Sequence, residues 1–167
     1  MDIGTVTEIC ADIEMPNSIG QATNFTALTF NKDELFASVA KNATGDTLVK
    51  IDPCECTATE IGGYGYSSVN GITSNVDEDM MGIAGAVDDI IQIDPQNAMS
   101  MMLANLPGNW GNHGLTWSDK NTNVLYGIEA TGDMLYTFNA MTGQQQGNAV
   151  KLSMNFGSVA PFSVIFA

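Results

Sequence analysis

The chain has 167 residues, of which 44% are hydrophobic, so it can build a folded core and is not a disordered polymer. Nineteen acidic residues stand against five lysines, there is no arginine, and the formal net charge is −14. A charge of this sign repels nucleic-acid phosphates and anionic lipid headgroups, so we expect neither a nucleic acid nor a membrane as partner.

The N-terminal region carries Cys10, the first of three cysteines. Residues 1–5 have neither a basic region nor an apolar stretch, so we expect no signal peptide. Cys54 and Cys56 are too close together for an ordinary zinc pair. A disulfide from Cys10 to Cys54 and one from Cys10 to Cys56 both fit the sequence, which does not choose between them.

Short apolar runs recur along the chain. The first run contains Leu28 in the first copy, Ile72 in the second and Leu115 in the third, and these positions lie 44 and 43 residues apart. The runs are rich in β-branched and aromatic residues, and turn residues separate them, as is typical of strands. A period of this length is typical of propeller blades, which are four-stranded antiparallel sheets. We therefore predict an all-β fold and a single domain over residues 1–167. The repeats span approximately 20–62, 63–106 and 107–152.

The third repeat shows the strand pattern most plainly. Strands are predicted over 115–117, 124–128 and 134–138, with a weaker fourth strand within 144–152. The turn after the third strand recurs in every copy and begins at Asp52, Asp94 or Asn139. An Asp or Asn at this position predicts a side-chain cap on the turn.

Two segments conflict with the repeat. Residues 33–41 and 97–106 have a helix-favouring composition. The repeat assigns the first to the second strand of blade one and the other to the fourth strand of blade two. We follow the repeat, because agreement among copies outweighs a weak propensity.

Several phrases resemble the blades of secreted or periplasmic propellers of the YVTN, NHL and quinoprotein-like kind. They are Leu125-Tyr126-Gly127, residues 138–143, Ile51-Asp52-Pro53 and Ile93-Asp94-Pro95. The resemblance implies a β-propeller architecture. A closed propeller has about four to eight blades, so three repeats indicate a partial propeller. Residues 1–19 would supply the outer strand of a preceding blade, and residues 162–166 the inner strand of a following one.

Four residues before and within an inner strand are candidates for ligand binding. His113 is the only histidine, and Trp110, Asn112 and Trp117 surround it in the sequence. Aromatic and polar side chains near the propeller axis would suit a carbohydrate or protein ligand. The alternative is an ordinary loop histidine.

Acidic clusters are candidates for calcium, because calcium takes several oxygen ligands. The candidate ligands are Asp77, Asp79, Asp88 and Asp89. Solvated hairpin tips explain the same residues, and we expect no other cofactor. The ten methionines are expected to fill the core.

The favoured function is a non-catalytic binding or scaffolding propeller module, secreted or on the cell surface. One alternative is part of a propeller hydrolase or lyase whose site is completed by other blades, and a second is a calcium-stabilised structural domain.

Asn24 and Asn42 begin Asn-x-Thr triplets that accept glycans in secreted proteins. An open arc would expose apolar faces at both ends and favour a head-to-tail homo-oligomer. The residues at these ends are Phe25, Leu28 and Phe30 on one side, and Phe156, Phe162, Val164 and Phe166 on the other.

Overall fold

The described chain folds into three four-stranded antiparallel sheets. A computed structural model describes residues 7–19, 24–41, 45–111, 113–129 and 131–153, and within these ranges it contains strands and no helix. The first sheet holds β1 (Phe25–Asn31), β2 (Glu34–Val39), β3 (Thr47–Asp52) and β4 (Thr57–Gly63). The second holds β5 (Val69–Ser74), β6 (Met80–Ala84), β7 (Asp89–Ile93) and β8 (Ser100–Asn105). The third holds β9 (His113–Trp117), β10 (Val124–Glu129), β11 (Met134–Asn139) and β12 (Val150–Lys151). The predicted all-β class is confirmed.

The sheets stand side by side as propeller blades. Within each sheet the strands pair in chain order, so the first strand is innermost and the fourth is outermost. The inner strand β1 packs against β5, and β5 packs against β9. The three blades therefore form an open arc around one axis. The end of this arc that holds the β2–β3, β4–β5, β6–β7, β8–β9 and β10–β11 connections is called the loop face below.

Both segments of helix-favouring composition are strands. Residues 34–39 form β2, and residues 100–105 form β8. Each pairs along its length with the third strand of its blade. Tertiary pairing has overridden the local preference, which amounts to a few tenths of a kcal/mol, roughly, per residue.

The recurring Asp or Asn caps its turn as predicted. Asp52 Oδ1 accepts hydrogen bonds from the backbone N–H groups of Cys54 (2.8 Å) and Glu55 (3.1 Å). Asp94 Oδ1 accepts one from Gln96 at 2.9 Å, and Asn139 Oδ1 accepts one from Met141 at 2.9 Å. The three turns are thus built in the same way.

Apolar clusters fill the spaces between neighbouring blades. The cluster between blades one and two includes Phe36, Leu48, Ile72, Met80, Ile91 and Ile93. The cluster between blades two and three includes Met81, Ile83, Trp110, Leu115, Leu125 and Phe138. The middle sheet is buried on both faces, which explains why its strands are apolar on both sides.

The N-terminal segment covers part of blade one. Glu14 forms an isolated parallel bridge to Thr57 at the start of β4, and Cys10 is bonded to Cys56. Ile13, Met15 and Ile19 pack on the face of blade one that points away from blade two. Residues 7–19 form no named strand and lie on the face of blade one that a preceding blade would cover. The outer strand expected from residues 1–19 stays a prediction. Residues 162–166 lie outside the described residues.

Candidate functional site

Aspartates on the loop face fasten one blade to the next. Asp46, just before β3, accepts a hydrogen bond through Oδ2 from the backbone N–H of Val69 at 2.6 Å. Asp88, just before β7, accepts one through Oδ1 from Trp110 N–H at 2.7 Å. Burial raises the pKa of Asp46, although hydrogen bonds from backbone groups, that of Val69 first, act in the opposite direction. These carboxylates are therefore engaged with the backbone.

His113 lies between blades two and three and is buried. Its Nδ1 lies against the carbonyl oxygen of Trp110, and its Nε2 is 3.0 Å from that of Ile83. Burial lowers the pKa of His113, while the two carbonyl oxygens, which favour the protonated ring, oppose this effect. Gly85 is required beside it, because a Cβ there would meet Trp110 O at 2.2 Å and His113 Cε1 at 2.9 Å.

The two tryptophans of the predicted ligand site are also buried. Trp110 packs on Tyr136 with ring centroids 5.0 Å apart and donates its indole N–H to Pro107 O at 2.9 Å. Trp117 donates its indole N–H to Thr122 O at 2.6 Å. The structure thus brings Trp110 and His113 together inside an inter-blade core. Asn112 lies outside the described residues. The ligand-binding role of these residues stays a prediction.

The four candidate calcium ligands lie in two separate turns. Asp77 and Asp79 are in the β5–β6 turn, whereas Asp88 and Asp89 are at the β6–β7 turn, at the other end of β6. Asp79 Oδ2 accepts a hydrogen bond from Asn75 at 3.0 Å, and Asp89 Oδ1 accepts one from Asn105 at 3.0 Å. Among the described residues, no three His, Cys, Asp or Glu side chains form a group that could hold a metal ion. Calcium binding by these residues stays a prediction.

A groove lies beside the outer strand of blade two, and it was not predicted from the sequence. Met99 and Met101 are 73% and 60% exposed, and Met102 is exposed on the opposite face of the strand. Met80 and Met81 do fill the core, so the expectation of buried methionines fails for part of the set. The groove has a volume of about 350 Å³. Its lining residues are Glu78, Asp79, Met80, Gln92, Ile93, Asp94, Pro95, Met99 and Met101.

The position of β8 gives this groove, named the Met groove here, its chemical character. β8 is the last strand of its sheet, so its outer edge presents backbone donors and acceptors in a row. Thioether side chains adapt to varied apolar shapes, and three carboxylates, from Glu78, Asp79 and Asp94, lie along the groove. The sequence could have indicated it, since Met99 and Met101 alternate along a predicted outer strand.

Comparison with known proteins identifies the architecture. By sequence, the chain matches no protein-family model and no curated relative. By structure, it is similar to a chain of the nidogen/laminin complex, with a TM-score of 0.60 and 12% identity over 73% of this chain and 46% of that one. It is also similar to an auxiliary nutrient binding protein from Bacteroides ovatus, with a TM-score of 0.61 and 12% identity over 80% of this chain and 32% of that one. A luciferin-regenerating enzyme gives a TM-score of 0.57 and 14% identity over 76% and 46%.

The fold and these similarities define the chain as a partial β-propeller. It spans less than half the length of the three solved structures. In the part of the chain that the structure describes, no helix could cross a membrane.

Proposed function

We propose that this partial propeller is a non-catalytic, extracellular binding module that contacts a protein partner through the Met groove. The exposure of Met99 and Met101 carries the proposal. Two flexible apolar side chains held in water beside the outer strand of a sheet form the kind of surface that protein partners bury.

The chemistry of the groove defines the segment that it would accept. An extended peptide can add to the edge of β8 through main-chain hydrogen bonds, with alternate side chains entering the groove. Aliphatic side chains would contact Met99 and Met101. Lysine or arginine side chains would meet the carboxylates of Glu78, Asp79 and Asp94, which line the groove. The net charge of −14 favours approach of a cationic partner.

An extracellular location fits the cysteines. The disulfide Cys10–Cys56 ties the N-terminal segment to blade one, and structural disulfides persist in oxidising compartments. Asn24 of the first glycan-acceptor triplet is exposed where β1 begins. Asn42 lies outside the described residues.

A binding role is also supported by how the loop face uses its ionisable groups. Asp46 and Asp88 accept backbone hydrogen bonds between blades. Glu129 accepts bonds from Thr131 N–H and Gly132 N–H at 2.6 and 2.8 Å. Groups committed in this way stabilise the arc rather than face a substrate. Among the structural neighbours, the nidogen/laminin complex joins two proteins, while the luciferin-regenerating enzyme keeps a propeller hydrolase or lyase as the alternative.

Selection from a displayed library of random peptides tests the proposal directly. We expect the chain to enrich peptides that combine lysine or arginine with aliphatic residues. The variant Met99→Ser/Met101→Ser should bind the selected peptides at least about tenfold more weakly, because it removes the apolar contacts at the centre of the site. Met141→Ser is the matched control, since Met141 is 74% exposed but lies in the β11–β12 turn.

Three results would overturn the proposal. They are failure to enrich any peptide, equal loss of binding in the Met141→Ser control, and selection of acidic peptides. Binding to a panel of glycans that survives in Met99→Ser/Met101→Ser would instead favour a carbohydrate ligand at another surface.

A further inference from the structure

The N-terminal segment shows how an extended chain binds to the outer strand of a blade. Glu14 runs parallel to β4 and lies beside Thr57. Its N–H donates to Cys56 O at 2.9 Å, and its carbonyl accepts the N–H of Ala58 at 2.9 Å. Pro16, two residues later, has no N–H to donate, so this ladder stops after one residue. The contact is one step of parallel β-augmentation within the chain itself.

The start of β8 matches the start of β4. Cys56 and Ala98 occupy one structural position, since each lies four residues after the aspartate that caps its turn. Both have a positive φ, of 54° and 61°. The strand pairing agrees in the two blades, so Ser100 corresponds to Ala58, the residue whose N–H binds Glu14.

The backbone groups of Ser100 point away from β7. Met99 O accepts the N–H of Asp94 at 2.9 Å, so these two residues form a hydrogen-bonded pair. Such pairs alternate along antiparallel strands, and the N–H and C=O groups of Ser100 and Met102 therefore face the outer side. Met101 and Met102 are 60% and 52% exposed, which leaves room there for a partner strand.

The next blade limits the length of this edge. A Cβ on Gly143, in the β11–β12 turn of blade three, would meet Ala104 Cβ at 2.7 Å. Gly62 has the corresponding position in β4, and a Cβ there would meet the carbonyl oxygen of Asn97 in blade two at 2.7 Å. The turn thus covers the second half of β8. A partner strand fits along residues 100–102, which correspond to the part of β4 that the N-terminal segment follows.

We propose that β8 binds a cationic peptide segment in parallel, in the register that the N-terminal segment has on β4. One partner residue lies beside Met99, and its carbonyl accepts the N–H of Ser100. The residue two positions later lies beside Met101, donates its N–H to Ser100 O and accepts the N–H of Met102. Both turn their side chains toward the groove, where three carboxylates favour lysine or arginine. This binding mode rests on the Met groove being the partner site, and it adds the direction and register of the partner.

The partner residue beside Met99 lacks one bond that the N-terminal segment makes. Ala98 is buried, and its carbonyl accepts the hydroxyl of Ser100 at 3.1 Å. A parallel partner therefore has a single N–H that donates to this stretch of β8, that of the residue beside Met101. An antiparallel partner would use two, one for Ser100 O and one for Met102 O.

Disulfide trapping on the full 167-residue chain measures the direction. The probe is a lysine-containing peptide selected from the displayed library, trimmed to the shortest form that binds and carrying a cysteine at its N-terminus or its C-terminus. In the background Cys54→Ser, single cysteines replace exposed residues beyond either end of the edge, as Gln96→Cys and Thr142→Cys. The N-terminal cysteine should react with Gln96→Cys at least about tenfold faster than with Thr142→Cys, and the C-terminal cysteine should show the reverse, because a disulfide needs Cα atoms within about 7 Å.

Loss of single N–H groups measures the register. N-methylation of the peptide should weaken binding about tenfold at one backbone nitrogen and much less at the others. Ser100→Pro removes the outward N–H of β8 and leaves its pairing with β7 intact, so it should weaken binding to a similar extent. Gln145→Pro is the matched control. It lies at the corresponding position of blade three, where Gln145 pairs with Phe138, and it should not change binding.

The outcomes separate this binding mode from the Met groove itself. Reversed trapping, or two sensitive nitrogens, would show an antiparallel partner and overturn the proposal while the Met groove remains the site. Equal trapping at both cysteine positions would also overturn it. Binding that is unchanged in both Ser100→Pro and Met99→Ser/Met101→Ser would place the peptide on another surface and overturn the Met groove as well.

Discussion

At the scale of single residues, the Asp and Asn side chains of the turns have two distinct uses. Asp52, Asp94 and Asn139 cap turns inside their own blades. Asp46 and Asp88 bind backbone N–H groups of the next blade. A short carboxylate accepts such bonds without a long flexible stem to order. Part of the acidity of the chain is thus structural, because these carboxylates hold turns and neighbouring blades in place.

Replacement of Asp46 tests the strength of the inter-blade bond. Asp46→Ala leaves the N–H of the buried Val69 without an acceptor, and we expect the free energy of unfolding to fall by about 1–3 kcal/mol. Asp46→Asn keeps one oxygen acceptor and should lose less. Urea unfolding measures both. Asp119→Ala, in an exposed turn, is the control and should stay within about 0.5 kcal/mol of wild type.

A pH titration tests the burial of His113. Burial holds its pKa below the ordinary value of 6.5, so the fold favours the neutral ring. Below pH 6.5 the unfolded chain binds more protons at His113 than the folded chain does. The free energy of unfolding therefore decreases as the pH is lowered. The contribution is complete above pH 6.5 and is lost as the pH drops through the folded pKa.

The comparison for this titration is His113→Gln, which cannot titrate. Between pH 7 and pH 5, wild type should lose more unfolding free energy than His113→Gln, since the carboxylates titrate in both. Parallel pH profiles would show that the imidazole is not held neutral by the fold.

The burial of Trp110 and His113 could not have been read from their neighbours in sequence. Polar residues such as Asn109 flank them, which favoured an exposed loop. Their burial depends on Gly85, which leaves room for the His113 ring, and on Tyr136 and Phe138, which meet the Trp110 indole. These contacts join residues of different blades, and the local pattern does not encode them.

At the scale of strands, the repeat predicted more than propensity did. It placed β2 and β8 correctly against their helix-favouring composition. Residues 7–19 have no counterpart in the other copies, and their place on blade one was therefore not predicted. The Met groove was missed for a related reason. Alternation predicts which side chains share a face, but exposure depends on whether a neighbouring blade covers that face.

Removal of the disulfide tests the role of the N-terminal segment. Cys10 and Cys56 are 46 residues apart, and Cys10→Ala/Cys56→Ala should lower the unfolding free energy by about 2–4 kcal/mol. Thermal unfolding with and without reductant measures this. Cys54→Ala should have no effect, because Cys54 is exposed and unbonded within the described chain. If Cys54→Ala destabilised the protein equally, the pairing of Cys10 would be with Cys54.

At the scale of the whole molecule, the two ends of the arc differ. The covering segment of blade one reaches β2, β3 and β4 but leaves the inner strand β1 bare. Across the β1–β2 pair, Phe25, Leu28 and Phe30 are opposite Val39, Ala37 and Leu35, respectively, and share their face of the sheet. The predicted apolar residues of this end are therefore exposed, while Phe156, Phe162, Val164 and Phe166 lie outside the described residues.

We propose that this bare strand makes the chain self-associate. Leu28 and Phe30 are 58% and 60% exposed, and a contiguous apolar row on an inner strand favours burial against a second copy of itself. Sedimentation velocity at micromolar concentration should show a dimer that raised salt strengthens, because salt screens the repulsion between chains of charge −14. Leu28→Ser/Phe30→Ser should yield a monomer. Val76→Ser, at an isolated exposed position in the β5–β6 turn, should leave the dimer intact. A wild-type monomer at all salt concentrations would show that the β1 row is covered by chain outside the described residues.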